Sequence, residues 1–380
     1  MNEPELYAFA HDILTTITRD LNEEVYSDLG GKLTLTWSTK PIFQATASSS
    51  SSIDSPPIHT ICIYYELVKQ LYTDILRFEH FANNIEIQKD IKKILDEIIE
   101  IPPFPQSIDK KDAIINMFIS CLTWIYFHEL GHLYQEHGFI RKKFGLVDIS
   151  EQTLEEQYVI NSDNLTFQQS KISHITEIAA DHFGSTMCSF ELLRHFSSIH
   201  ETDLINPDSK GEEFIESTYM FLIGISSTLY RFYGEKILRD NNLLLVDDIP
   251  KGSHPNPIVR LELIYRHIIE LMSLTGFKSI ANYQMSKEEL VRIFTRAIYT
   301  GAFVWIILNV NPDDFTFNYF SSGILNSEEK MNYMKIMVQA WKEIEPTILD
   351  IERHSIPFGT LTFSSQFIQL LDSAASFKTP

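Results

Sequence analysis

The chain has 380 residues, enough for two or three domains or one large one. Its 31 basic and 51 acidic residues leave a net charge of −20, a surface that repels phosphate backbones and argues against nucleic acid as a partner. Hydrophobic residues make up 44%, ordinary for a globular protein with a substantial core.

In chain order, residues 5–27 repeat apolar side chains at helical spacing, with Leu6, Phe9, Ile13, Ile17 and Leu21 on one side. After Gly30 and Gly31, the stretch KLTLTWSTKPIFQATA (32–47) alternates and carries threonines, the pattern of a hairpin or of two short strands. The serine run 48–52 with Pro56 and Pro57 reads as a loop, and HTICIYY (59–65) as a short strand. Helices are expected at about 64–82 and 84–100, closed by IPPFP (101–105), because proline removes a backbone donor. The next helix spans about 109–138, with Gly138 as its stop. Residues 139–170 are polar and irregular. Further helices are expected at about 170–197, 212–239, 257–274, 286–308, 326–344 and 346–353. The fold class is therefore α+β, predominantly helical, with a small N-terminal β-sheet and a helical C-terminal region. Residues 1–280 are taken as one domain and 281–380 as a helical C-terminal extension.

Cys62, Cys121 and Cys188 are odd in number and form no CxxC pair, so they read as free thiols of a reducing compartment. The N-terminus lacks the basic flank and apolar region of a secretory signal. The longest apolar runs, 113–127 and 297–310, fall short of the roughly 18–20 residues of a transmembrane helix. The expectation is a soluble, cytoplasmic protein with no transmembrane segment.

One motif carries chemistry. In CLTWIYFHELGHLYQEHG (121–138), His128 and His132 are four apart on one helical face, so both can turn a ring nitrogen to one ion. Glu129, one residue on, faces another side, where it can take a proton from water; this is why H-E-x-x-H reads as a zinc hydrolase motif. Gly131 lets a neighbour pack close. Two histidines need a third ligand. His137 does not have the spacing for it, and on a continuous helix it points away from His132 as a solvent-facing end residue. HITEIAADHFG (174–184) offers a better candidate, since Glu177 and Asp181 share one helical face. Glu177 is the candidate ligand, which leaves a fourth position open. Asp181 is placed to accept from the outer nitrogen of a ligating histidine. His174 lies on the same face and competes with Glu177 as ligand; His182 points elsewhere. In GSHPNPIVRLELI (252–264), His254 sits in a proline-stiffened loop, where a held imidazole can stabilise an oxyanion. Arg260, in the helix that follows, can pair with Asp181 or another carboxylate.

HELGH, EIAAD and SHPNPIVR together resemble the three motifs of the HtpX-like and CAAX prenyl protease-like zinc peptidases, which are gluzincins. The resemblance implies a zincin-like core with one zinc ion on His128, His132 and Glu177. It implies Glu129 as general base, a transition-state role for His254, and supporting roles for Asp181 and Arg260. It covers about 110–265. Family members are often membrane-embedded and this chain lacks a long apolar run, so a prenylated substrate is not implied. The strand HTICIYY suits the sheet beside the active-site helix, and its edge is a candidate place for an added substrate strand. The function expected is a zinc-dependent endopeptidase acting on a protein or peptide. The alternative is a non-catalytic, regulatory zincin-like module that senses or binds a partner. The substrate's identity and the oligomeric state are left open.

Overall fold

Asn2 starts helix α1 (Glu3–Leu21): its side chain accepts from the Glu5 amide, and the Glu5 carboxylate accepts in return from the Asn2 amide. The fully buried stripe is Leu6, Ala10, Leu14 and Thr18. It lies beside the expected face, whose Phe9, Ile13, Ile17 and Leu21 are half-buried at its margin. The computed structural model describes residues 1–84, 108–146, 153–155, 165–198, 210–237, 246–309, 323–353 and 359–376. The helix expected beyond Asn84 and its IPPFP stop lie outside the described residues, as does most of 147–164.

Strands β1 (Lys32–Ser38), β2 (Ala45–Ser49), β3 (Ile58–Tyr64) and β4 (Thr153–Glu155) form one sheet in the order β1-β3-β2-β4. β1 runs parallel to β3, with Leu35 opposite Ile61; β2 runs antiparallel to β3, with Ala47 opposite Ile61. The stretch 32–47 thus forms two strands but no hairpin. β3, with Ile61 and Ile63 fully buried, takes the central place between them. Both edges of β3 are therefore paired, and the open edge expected there is not present. β2 is itself covered by β4, with Ala47 opposite Leu154.

Helix α2 (Tyr65–Asn83) follows β3 directly, and Asp109 caps α3 (Lys110–Tyr134) by accepting from the Lys111 amide. Every residue of α3 from Cys121 to Tyr134 is buried, as befits a helix that is apolar on all sides. Then come α4 (His137–Lys143), α5 (Phe167–Ser198), α6 (Lys210–Ile237), α7 (Pro257–Met272) and α8 (Thr275–Ala281). α9 (Lys287–Asn309), a 3₁₀ turn (Ile324–Asn326), α10 (Glu328–Ile351) and α11 (Ser365–Ser376) follow. The described residues are thus α+β and predominantly helical.

α10 was expected as two helices split at Pro346, but it runs unbroken through that residue. Trp341, Ile344 and Ile348 are buried on both sides of the proline, and their packing offsets its cost of about 3 kcal/mol in a helix. The expected boundary at residue 280 falls at the end of α8. Beyond it, α9 lies hard against α6, where a Cβ on Gly301 would stand 2.3 Å from the Ile223 carbonyl.

Extended by their polar ends, α3 and α9 are long and apolar enough to cross a membrane by length and composition, although the apolar runs 113–127 and 297–310 within them are too short alone. In this fold 78% and 67% of their most apolar windows are buried. The cysteines Cys62, Cys121 and Cys188 are free thiols, and burial pushes Cys121 up to about 12.

Candidate metal centre

α3 and α5 run antiparallel. Trp124 Nε1 donates to Ser185 Oγ at 3.2 Å near one end of the contact, and Gln135 Nε2 donates to the Ala179 carbonyl at 3.3 Å near the other. Small residues bring the two backbones together. A Cβ on Gly184 would stand 3.0 Å from His128 N, and one on Gly131 would stand 3.0 Å from Phe183 Cβ. Ala179 and Ala180 are fully buried in the same stretch.

At this crossing the two histidines of HELGH meet Glu177. His128 Nε2 and His132 Nε2 are 3.1 Å apart. Glu177 Oε2 lies 3.4 Å from His128 Nε2, and Glu177 Oε1 lies 3.5 Å from His132 Nε2. The three side chains are almost wholly buried, and one ligand atom from each lies within 4.8 Å of the others. Glu177 Oε2 is buried without a hydrogen-bond partner. Two inward imidazole nitrogens facing an unsatisfied carboxylate oxygen are a donor set that fits a divalent cation, and this group could hold a metal ion.

The protonation states agree with that use. Burial, the largest effect, holds His132 down at about 4, so its ring is neutral and can ligate. Burial alone would raise Glu177. The His132 and His254 imidazoles beside it outweigh burial and hold the carboxyl well below its usual range.

The remaining expected residues surround these three. Asp181 Oδ1 stands 2.9 Å from His128 Nδ1, the outer nitrogen of that ring. Arg260 grips Asp181 with two bonds, Nε to Oδ2 and Nη2 to Oδ1, both 2.7 Å. Burial raises Asp181, but Arg260 prevails and holds it below the usual carboxylate range. Arg260 sits in the first turn of α7, which Asn256 caps and Pro257 opens. His254 Nε2 lies 3.9 Å from Glu177 Oε1. Its loop is tied down by Ser173 Oγ, which donates to the Ser253 carbonyl at 2.7 Å, and by Tyr233 OH, which donates to the His254 and Pro255 carbonyls. Glu129 is fully buried beside His128 in sequence.

Two cavities lie nearby, one bordered by the candidate ligand His132 and the other by His254. One of about 500 Å³ is lined by His132, Glu136, Phe139 and the serine turn at Ser51 and Ser52. Another of about 480 Å³ is lined by His254, His174, Tyr233 and Tyr333.

Two expectations change. His137 is not solvent-facing: it is fully buried, and its Nδ1 stands 2.8 Å from His132 Nδ1. The helix is not continuous there. Glu136 adopts left-handed backbone (φ 50°, ψ 38°), ends α3 and turns α4 back on the site. Arg353 clamps the Glu136 carboxylate and also donates to the Ser52 and Ser55 carbonyls. His174 does not compete with Glu177. Its Nδ1 lies 2.8 Å from Tyr333 OH and its Nε2 lies 3.1 Å from the Lys251 carbonyl. Sequence reasoning also missed Arg141, whose Nη2 donates to Glu177 Oε1 and whose Nε donates to Thr176 Oγ at 2.9 Å. Its spacing of four from His137 is a helical-face signal, visible only once a new helix is known to start at His137.

No family model, curated protein or solved structure matches this chain.

Proposed function

We propose that this chain is a soluble zinc metalloendopeptidase with a gluzincin-type core, which hydrolyses peptide bonds in a protein or peptide substrate in the cytoplasm. The observation that supports it most is the meeting of Glu177 with both histidines of HELGH, with Asp181 and Arg260 stacked behind His128. His128, His132 and Glu177 would hold the ion. Bound zinc supplies Lewis acidity, which activates water as a nucleophile and polarises a carbonyl. Glu129 takes the proton of the attacking water and later delivers it to the leaving amine. His254, held by its stiff loop on the Glu177 side of the group, stabilises the developing oxyanion. The resemblance to the HtpX-like and CAAX prenyl protease-like peptidases supports the same roles. The net charge of −20 speaks against nucleic acid as a partner.

A second reading is a zincin-like module that holds metal for structure or sensing and binds a partner without turnover. The near-complete burial of the three ligands favours it. Glu129→Gln separates the two. The peptidase reading expects that variant to keep its zinc, about one per chain by elemental analysis, and to lose nearly all hydrolysis of a mixed peptide library. Glu177→Ala loses the zinc itself. Wild-type hydrolysis by Glu129→Gln sinks the mechanism, and an unchanged biological effect without hydrolysis favours the module.

A further inference from the structure

Helix α4 carries two residues that reach two of the candidate ligands. His137 is fully buried, with its Nδ1 2.8 Å from Nδ1 of His132. One turn on, Arg141 donates to Glu177 Oε1 and to Thr176 Oγ. The spacing of four puts both on one helical face.

The direction of the hydrogen bond matters at His132. Its inward nitrogen, Nε2, faces His128 Nε2 and must be unprotonated to hold a cation. The proton of the neutral ring then sits on Nδ1, where His137 Nδ1 is the atom in reach to accept it. Arg141 has the matching position at Glu177. It occupies Oε1 and leaves Oε2, 3.4 Å from His128 Nε2 and 3.8 Å from Arg260 Nη2, as the oxygen available to a cation. Glu136, in left-handed backbone and clamped by Arg353, sets the angle at which α4 leaves α3.

We propose that α4 is the positioning element of the metal centre: His137 fixes the tautomer and ring of His132, and Arg141 fixes which oxygen of Glu177 meets the ion. This rests on the reading that His128, His132 and Glu177 hold zinc, and it adds two residues that the HExxH pattern does not contain. Neither touches the ion or a substrate; each acts through a ligand.

The test compares the full-length wild type with His137→Phe, His137→Asn and Arg141→Met. Zinc affinity is measured by chelator competition, and the geometry of the site by the absorption spectrum of the Co²⁺-loaded protein. Phe keeps most of the volume and has no acceptor, whereas the Asn amide oxygen can take the place of His137 Nδ1. The expected result is a loss of zinc affinity of about 10- to 100-fold in His137→Phe, with an altered cobalt spectrum. His137→Asn recovers most of both. Arg141→Met, whose side chain in the wild type is 11% exposed, weakens zinc in the same range. Should His137→Phe fail to fold, the Asn and Arg141→Met variants decide the matter. Wild-type affinity and spectrum in the variants that fold would overturn the proposal. So would equal losses in His137→Phe and His137→Asn, which would make His137 a packing residue only. A wild type that takes up no zinc removes the metal reading as a whole. Tight wild-type zinc with unaltered variants removes only the part given to α4.

Discussion

Asp181 joins a histidine that faces the candidate ion to an arginine that is 1% exposed. A buried guanidinium needs its carboxylate, because the attraction between them offsets the loss of water on both sides. Asp181→Ala therefore strips Arg260 of its two-pronged partner and His128 Nδ1 of its neighbour at once. The expected cost is about 3–5 kcal/mol in urea unfolding of the metal-free protein. Zinc affinity falls by about 10- to 100-fold through the loosened ring of His128. An unfolding midpoint equal to wild type would mean that Arg260 finds other compensation and that the pairing adds little. At this scale the sequence was most informative where chemistry fixes spacing. His128 and His132 are four apart, as are Glu177 and Asp181, and helical geometry alone places each pair on one face. It was least informative at His137. Glu136 is neither glycine nor asparagine, so nothing in HLYQEHG announces a left-handed residue, and Gly138 looked like the natural stop. Because the chain turns at Glu136 and not at Gly138, His137 faces inward to His132.

Two helices make the site, and their separation is set by what they lack. At Gly184 an added Cβ would meet His128 N at 3.0 Å, His128 Cα at 3.3 Å and the Trp124 carbonyl at 3.3 Å. These are backbone atoms in the middle of a buried helix and cannot swing aside. Gly184→Ala must therefore push α5 away from α3. Overpacking of this kind costs about 1–3 kcal/mol. The same displacement draws Glu177 away from His128 and His132, so zinc affinity should fall together with the thermal midpoint. Gly276, where an added Cβ meets nothing within 4 Å, is the control: Gly276→Ala should leave zinc binding unchanged. If Gly184→Ala bound zinc as the wild type does, the crossing would be softer than its geometry implies. Element types were readable along much of the chain because apolar spacing is local. Their partners were not. The central place of β3 between β1 and β2, and the unbroken course of α10 through Pro346, both follow from burial against distant residues.

Across the whole molecule, histidines far apart in sequence are kept neutral by being buried, and this gives the fold a pH dependence of definite sign. Burial, the leading cause in each case, lowers His174 to about 3 and His182 to about 4, and holds His267 well below the ordinary imidazole range. His174 lies between Tyr333 of α10 and the Lys251 carbonyl of the loop before α7, with His254 nearby. His182 of α5 lies against His267 of α7 with ring centroids 3.7 Å apart and the planes tilted by 33°, so charging either ring beside the other is unfavourable. In the unfolded chain each imidazole titrates near 6.5. Between pH 6.5 and about 4 the unfolded state therefore binds more protons than the native state, and stability rises with pH across that window. The contribution is complete above pH 6.5. It is lost as pH falls, down to about 4 for His182 and about 3 for His174. Each such group contributes a slope of at most about 1.4 kcal/mol per pH unit. Urea unfolding of the metal-free protein should show the midpoint falling from pH 7 to pH 5, and His182→Asn, which keeps a donor for the Gly359 carbonyl, should flatten that fall. A wild-type midpoint that does not change over this range would mean that these rings accept protons in the native state, and that the contacts joining α5 to α7 and α10 open to water.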